Sequence, residues 1–128
     1  QMFPEVVDVV GNLFNVDSRH ELAIQTALGY SGAQNVVVKT DKAIKKIINF
    51  LKEGRYGRAT FLPLNVIKVR RVDDKSMTIL KHIKGFEGIA SDIIKYKTDV
   101  DAAMKFLLGN NIIFDNLDNA IEASKLLD

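Results

Sequence analysis

Apolar residues at Ile44, Ile47, Ile48 and Leu51 recur at i, i+3, i+4 and i+7, while Lys42, Lys45, Lys46, Asn49 and Lys52 fall between them. That period predicts a helix with one buried stripe, capped by Thr40 or Asp41. Just before it, three consecutive valines at 36–38 have the continuous apolar character of a strand buried on both faces. Further upstream, Ser18-Arg19-His20-Glu21 has the spacing of a capping box. It predicts a helix carrying Ile24, Ala27 and Leu28 on one face and ending at Gly29 in the left-handed conformation. Residues 30–34 read as a turn, and residues 1–16, broken by Pro4 and Gly11, as no regular helix, with an extended entry over their second half. After Gly54 the run 59–62 predicts a short strand that Pro63 must stop or confine to a sheet edge.

Residues 69–84 are weakly patterned and predict a linker with a short helix near 77–82. Gly85-Phe86-Glu87-Gly88 reads as a turn, followed by an apolar-rich segment to Tyr96. Thr98, with Asp101 at the third position, predicts a capped helix whose buried face is Met104, Leu107 and Leu108 and which stops at Gly109. A strand over 112–114 and a last helix opened by Asn116 or Asp118 complete the chain.

The two halves read alike. An offset of 80 lays residues 10–23 on 90–103, Ser18 on Thr98 and Leu28-Gly29 on Leu108-Gly109. Removing four residues from the second copy then matches 36–38 with 112–114, and returning one matches Ala43-Ile44 with Ala120-Ile121. Each copy is an extended entry, a capped helix, a buried strand and a second helix. The second has no counterpart of the 59–64 strand, so the expectation is a chain cut short inside its domain, with one sheet edge left open.

With 128 residues, 47% of them apolar and 27% charged, the chain suits one compact domain or two small subdomains sharing a core. No apolar run approaches the roughly 20 residues of a membrane helix, and the N-terminus does not read as a signal peptide. There is no cysteine, so disulfide and thiol chemistry are excluded, and a cytoplasmic setting fits. The net charge of +2 conceals an asymmetry: nine Lys/Arg against three acids over 52–84 give +6, leaving nine bases and thirteen acids, or −4, for the rest. Such a basic stretch can neutralise phosphates in a sequence-independent way, or simply be a solvated loop.

No phosphate-binding glycine loop, His-Glu-x-x-His or Gly-x-Ser-x-Gly motif is present. His20 and His82 read as solvated side chains, and Asp17, Asp41, Asp99, Asp101 and Asp118 as carboxylates opposing helix dipoles. The Gly-x-x-Gly at 85–88 is a poor nucleic-acid clamp because Glu87 would repel phosphate.

The phrases Glu21-Leu-Ala-Ile-Gln-Thr-Ala-Leu-Gly29, Gln34-Asn-Val-Val-Val38, Gly57-Arg-Ala-Thr-Phe-Leu-Pro-Leu64, Gly85-Phe-Glu-Gly-Ile-Ala-Ser-Asp92 and Leu108-Gly-Asn-Asn-Ile-Ile113 occur in this order. Together with 43–51 they resemble the hinge domain of bacterial and archaeal structural maintenance of chromosomes (SMC) proteins over nearly the whole chain. The resemblance implies an α/β (mixed α+β) fold of two pseudo-symmetric subdomains, over 1–68 and 85–128, joined by the basic linker 69–84. It implies a homodimerising module without cofactor, metal or catalytic site, joining two coiled-coil arms of a nucleoid-associated ATPase whose heads lie elsewhere.

In that family edge strands join two hinges, and a glycine-rich end meets the partner's first subdomain. That end is not in this chain, and Asp8 stands where the family commonly has glycine. The implied dimer residues are Thr60, Phe61 and Leu62. Resemblance and charge together point to Arg55, Arg58, Lys68, Arg70 and Arg71 for sequence-independent DNA contact. Two other readings remain: a duplicated α/β module binding a small ligand between its copies, and an enzyme with an unrecognised site.

Overall fold

The structure is a computed structural model, and it describes residues 3–54 and 59–126. Strand β1 (Val6–Val9) leads through a 3-10 turn to β2 (Phe14–Asn15), and a second 3-10 turn (Ser18–His20) runs into α1 (Glu21–Ala33). Then come β3 (Val36–Val38), α2 (Asp41–Gly54), β4 (Phe61–Pro63) and α3 (Asp74–Leu80). The remainder is β5 (Phe86–Ile89), α4 (Ala90–Ile93), β6 (Lys95–Tyr96), a 3-10 turn (Thr98–Val100), α5 (Asp101–Leu108), β7 (Ile112–Phe114) and α6 (Leu117–Ser124). Among the described residues no helix is long and apolar enough to cross a membrane.

The duplication is visible in the pairing. Antiparallel β1–β3 matches Val6 with Val38 and Val9 with Val36, with a bulge between Val6 and Asp8; antiparallel β5–β7 matches Phe86 with Phe114 and Ile89 with Ile112, with its bulge between Phe86 and Gly88. A third antiparallel pair, β2–β6, sets Phe14 against Tyr96 and Asn15 against Lys95. At the offset of 80, Asn15 and Lys95 are equivalent, so this ribbon lies on the pseudo-two-fold axis and stitches the copies together. The valine run at 36–38 holds the central position its apolar character requires: β3 pairs with β1 on one side and with parallel β4 on the other.

One core crosses both copies. Val10, Ile24, Val37 and Leu62 from the first pack with Ala90, Ile94, Val100, Ala103, Met104, Leu108 and Ile113 from the second. A satellite cluster under α2 joins Val38, Ala43 and Ile47 to Phe3, Ile44, Leu51 and Phe61. Burial of that stripe, rather than helix propensity, stabilises α2.

Several local expectations are corrected. Neither Ser18 nor Thr98 completes a capping box: residues 18–20 and 98–100 each form a 3-10 turn that enters its helix without a side-chain cap. Gly85-Phe86-Glu87-Gly88 is not a turn, because from Phe86 onward it is strand β5. Gly85 (φ 85°) and Gly88 (φ 149°) supply the backbone freedom for its entry and its bulge. Segment 69–84 is docked: the Arg70 N–H donates to the Lys105 carbonyl (3.3 Å), and Leu80 is wholly buried. Its helix starts at Asp74 because the Asp73 side chain accepts from the Ser76 N–H (2.7 Å).

Candidate dimerisation edge and basic surface

Strand β4 lies at the edge of its sheet, where Pro63 is tolerated. The Thr60 carbonyl accepts from the Val36 N–H (2.8 Å) and the Leu64 N–H donates to the Val38 carbonyl (2.9 Å). Alternation in a parallel ladder therefore turns residues 60, 62 and 64 toward β3, and Phe61 and Pro63 outward. Pro63 has no N–H, and its carbonyl is taken by the N–H groups of Val66 and Ile67 (3.2 and 3.1 Å). The free edge of β4 is thus one residue long, the N–H and carbonyl of Phe61. Two such bonds contribute only about 1 kcal/mol each.

The three dimer candidates divide accordingly. Thr60 is exposed and Phe61 half-buried in the cluster under α2, while Leu62, at 4% exposure, belongs to the shared core.

Of the basic candidates, Arg55 and Arg58 lie outside the described residues. Lys68, Arg70 and Arg71 are exposed along the segment that leaves β4. Arg70 packs its guanidinium over the Phe106 ring, 4.5 Å from the centroid, and Arg71 donates to Asp74 (3.3 Å) at a fully solvated pair of little energetic weight. Arg70 and Arg71 line a cleft of about 410 Å³ together with Lys105, Asp74 and Asp92. Among the described residues no cluster of His, Asp and Glu suits a metal ion.

Sequence reasoning missed a polar joint between the copies. Glu87, aimed by the β5 bulge, accepts from Arg19 Nη2 through Oε2 (2.7 Å), while its Oε1 lies 2.7 Å from His20 Nε2. His20 and Glu87 are only 18% and 16% exposed, so His20 is not the solvated side chain expected of it. Residues 68 positions apart carry no local signal of such pairing. The two-fold counterpart of this joint has lost its ion pair: offset by 80, Glu87 becomes Val7, His20 becomes Val100 and Arg19 becomes Asp99, and all three line a cleft of about 560 Å³ beside the β2–β6 ribbon. A second missed contact is the Tyr96 hydroxyl donating to Asp101 Oδ1 (2.6 Å). This bond, with help from Lys105, holds the Asp101 carboxyl below its ordinary value, while burial and then the bond to Asp101 push the Tyr96 phenol up.

Two pseudo-symmetric α/β copies sharing one core and stitched by the β2–β6 ribbon define a duplicated α/β domain of the hinge type. The family model for the SMC proteins Flexible Hinge Domain matches residues 3–124, and the chain belongs to that family. It is 39% identical over 127 residues to the chromosome partition protein Smc of Mesomycoplasma hyorhinis, covering 99% of this chain and 13% of that protein. It is 40% identical over 121 residues to that of Halothermothrix orenii, covering 94% and 10%. The chain therefore spans about a tenth of the length of these curated relatives. Among solved structures, the asymmetric dimer of the Geobacillus stearothermophilus SMC hinge domain matches with TM-score 0.93 and 40% identity, over 98% of this chain and 50% of that one. The Pyrococcus furiosus SMC hinge domain matches with TM-score 0.78 and 35% identity, over 92% and 59%.

Proposed function

We propose that this hinge domain dimerises and so joins the two coiled-coil arms of a chromosome partition ATPase on the nucleoid, in the cytoplasm. The observation that carries the reading is the exposed edge of β4, where a second strand can pair with Phe61. The first copy offers β4, and the second copy leaves β7 without a corresponding parallel neighbour among the described residues. The two edges are complementary in kind, and the Geobacillus relative is a dimer.

Sedimentation equilibrium on this chain, and on one extended by about 30 residues to allow a strand, its turns and a tail, tests the reading. A dimer in the longer chain upholds it. If both stay monomeric at micromolar concentration, the reading fails. The 560 Å³ cleft between the copies, lined by Val7, Leu13 and Val100 with Asn12, Lys95 and Lys97, then becomes the site at which to screen small ligands.

DNA contact is the second element of the proposal. Lys68 and Arg71, with Arg55 and Arg58, supply sequence-independent phosphate contacts; Arg70 contributes less because it is committed to Phe106. Fluorescence anisotropy of a labelled duplex across a salt series reads this directly. The double variant Lys68→Ala/Arg71→Ala lowers the slope of log affinity against log salt by about two. An unchanged slope removes these residues from the interface.

A further inference from the structure

The free edge of β4 is one residue long, and two backbone hydrogen bonds do not hold two proteins together. At the N-terminal end of β4, in a notch that reaches Thr60, the residue before Phe61, stands the most exposed large apolar side chain among the described residues: Tyr30, at 85%. With Ser31, Gln34, Asn35, Ala59 and Thr60 it lines a notch of about 370 Å³ at the N-terminal end of β4. The backbone places it there. Gly29, at φ 73° and ψ 165°, breaks α1 in a conformation open essentially only to glycine, and the chain re-enters a helical turn at Tyr30 with its side chain in solvent. No atom lies within 4 Å of where a Cβ on Gly29 would sit, so the break does not serve close packing. The equivalent position in the second copy is Asn110, beyond a glycine with ordinary helical φ of −69°. The projection belongs to the first copy alone.

We infer that Tyr30 is an anchor residue of the dimer interface, inserting into a second copy of this hinge where that copy's strand meets Phe61. The inference rests on the dimer reading and names the side chain that gives the short edge its affinity. A tyrosine is suited to this, with a large apolar ring held by two torsions and a hydroxyl for the polar rim. The neighbouring Gln34, Asn35 and Thr60 provide short polar partners for that rim.

The test is sedimentation equilibrium on the native sequence and on two variants, each made in this chain and in the extended chain, with thermal melting of each as the control for folding. Tyr30→Ser weakens the dimer by about thirtyfold or more, the scale of a hot-spot residue, while its melting midpoint as monomer is unchanged. Tyr30→Phe keeps the dimer within about threefold. A Tyr30→Ser protein that dimerises as tightly as the native one overturns the inference and leaves the dimer reading intact. An extended chain that stays monomeric along with this one overturns both.

Discussion

The two joints between the copies are related by the pseudo-two-fold axis, yet one centres on Val7 and Val100, with Asp99 exposed at its rim, and the other on Glu87, Arg19 and His20. The apolar joint draws on area removed from water and is indifferent to salt. The polar joint depends on charge and on an aimed carboxylate, so it contributes direction rather than bulk free energy. Duplication supplied the same backbone twice, and divergence made one side a core and the other a clasp. The shared Leu-Gly step, a break inside α1 and the end of α5, diverged likewise: Gly29 is needed for its torsion, and Gly109 for lack of a side chain.

Gly109→Ala gives the largest effect. A Cβ there meets the Arg70 and Lys105 carbonyls, both backbone, so the docked 69–72 segment must move. We expect a loss of about 3 kcal/mol by denaturant unfolding, the upper end for overpacking. Gly29→Ala meets no neighbour and costs only backbone strain, about 1–2 kcal/mol, so equal losses at the two glycines erase the contrast.

Val100→Ala comes next. It removes two methyl groups at 4% exposure, worth about 2 kcal/mol with the cavity included, and its effect is the same in low and high salt. Glu87→Gln costs about 1 kcal/mol at low salt and less at 1 M, because it leaves Arg19 and His20 without their anion. A salt-dependent Val100→Ala and a salt-independent Glu87→Gln would reverse the assignment of the two joints.

The smallest effect is a pH dependence. Asp101 has its carboxyl lowered in the folded state from 3.8, first by the Tyr96 hydroxyl. Its contribution is therefore complete above the unfolded value and is lost as pH falls through the folded one, in the window below about pH 4. Tyr96→Phe removes the larger part of this loss, by less than about 1 kcal/mol because the Asp101 carboxylate is partly exposed and screened by solvent, and acid titration followed by circular dichroism checks it.

Periodicity and composition made α2, β3, β7 and the duplication legible, because each reports which face is buried. The β4 strand was legible through its aromatic and β-branched residues, and Pro63 marked it as an edge. The docking of 69–84 was not, since it rests on an absent Cβ at Gly109 and a cation over Phe106, neither of which leaves a periodic trace. Strand β5 was hidden because its glycines look like a turn and act as a bulge. Glu87 looked like an obstacle to phosphate and is instead the partner of Arg19 and His20. For the candidate site, the phrase around Pro63 pointed to β4, which does lie at a sheet edge, but only the hydrogen bonding reduced its free edge to Phe61.

The most direct measurement of the central claim is hydrogen exchange at the Phe61 amide, residue by residue, across a concentration series spanning dimer formation. Pairing at the β4 edge predicts that this N–H exchanges freely in the monomer and becomes protected in step with dimerisation. A dimer in which the Phe61 amide still exchanges as fast as in the monomer would contradict it and place the interface elsewhere.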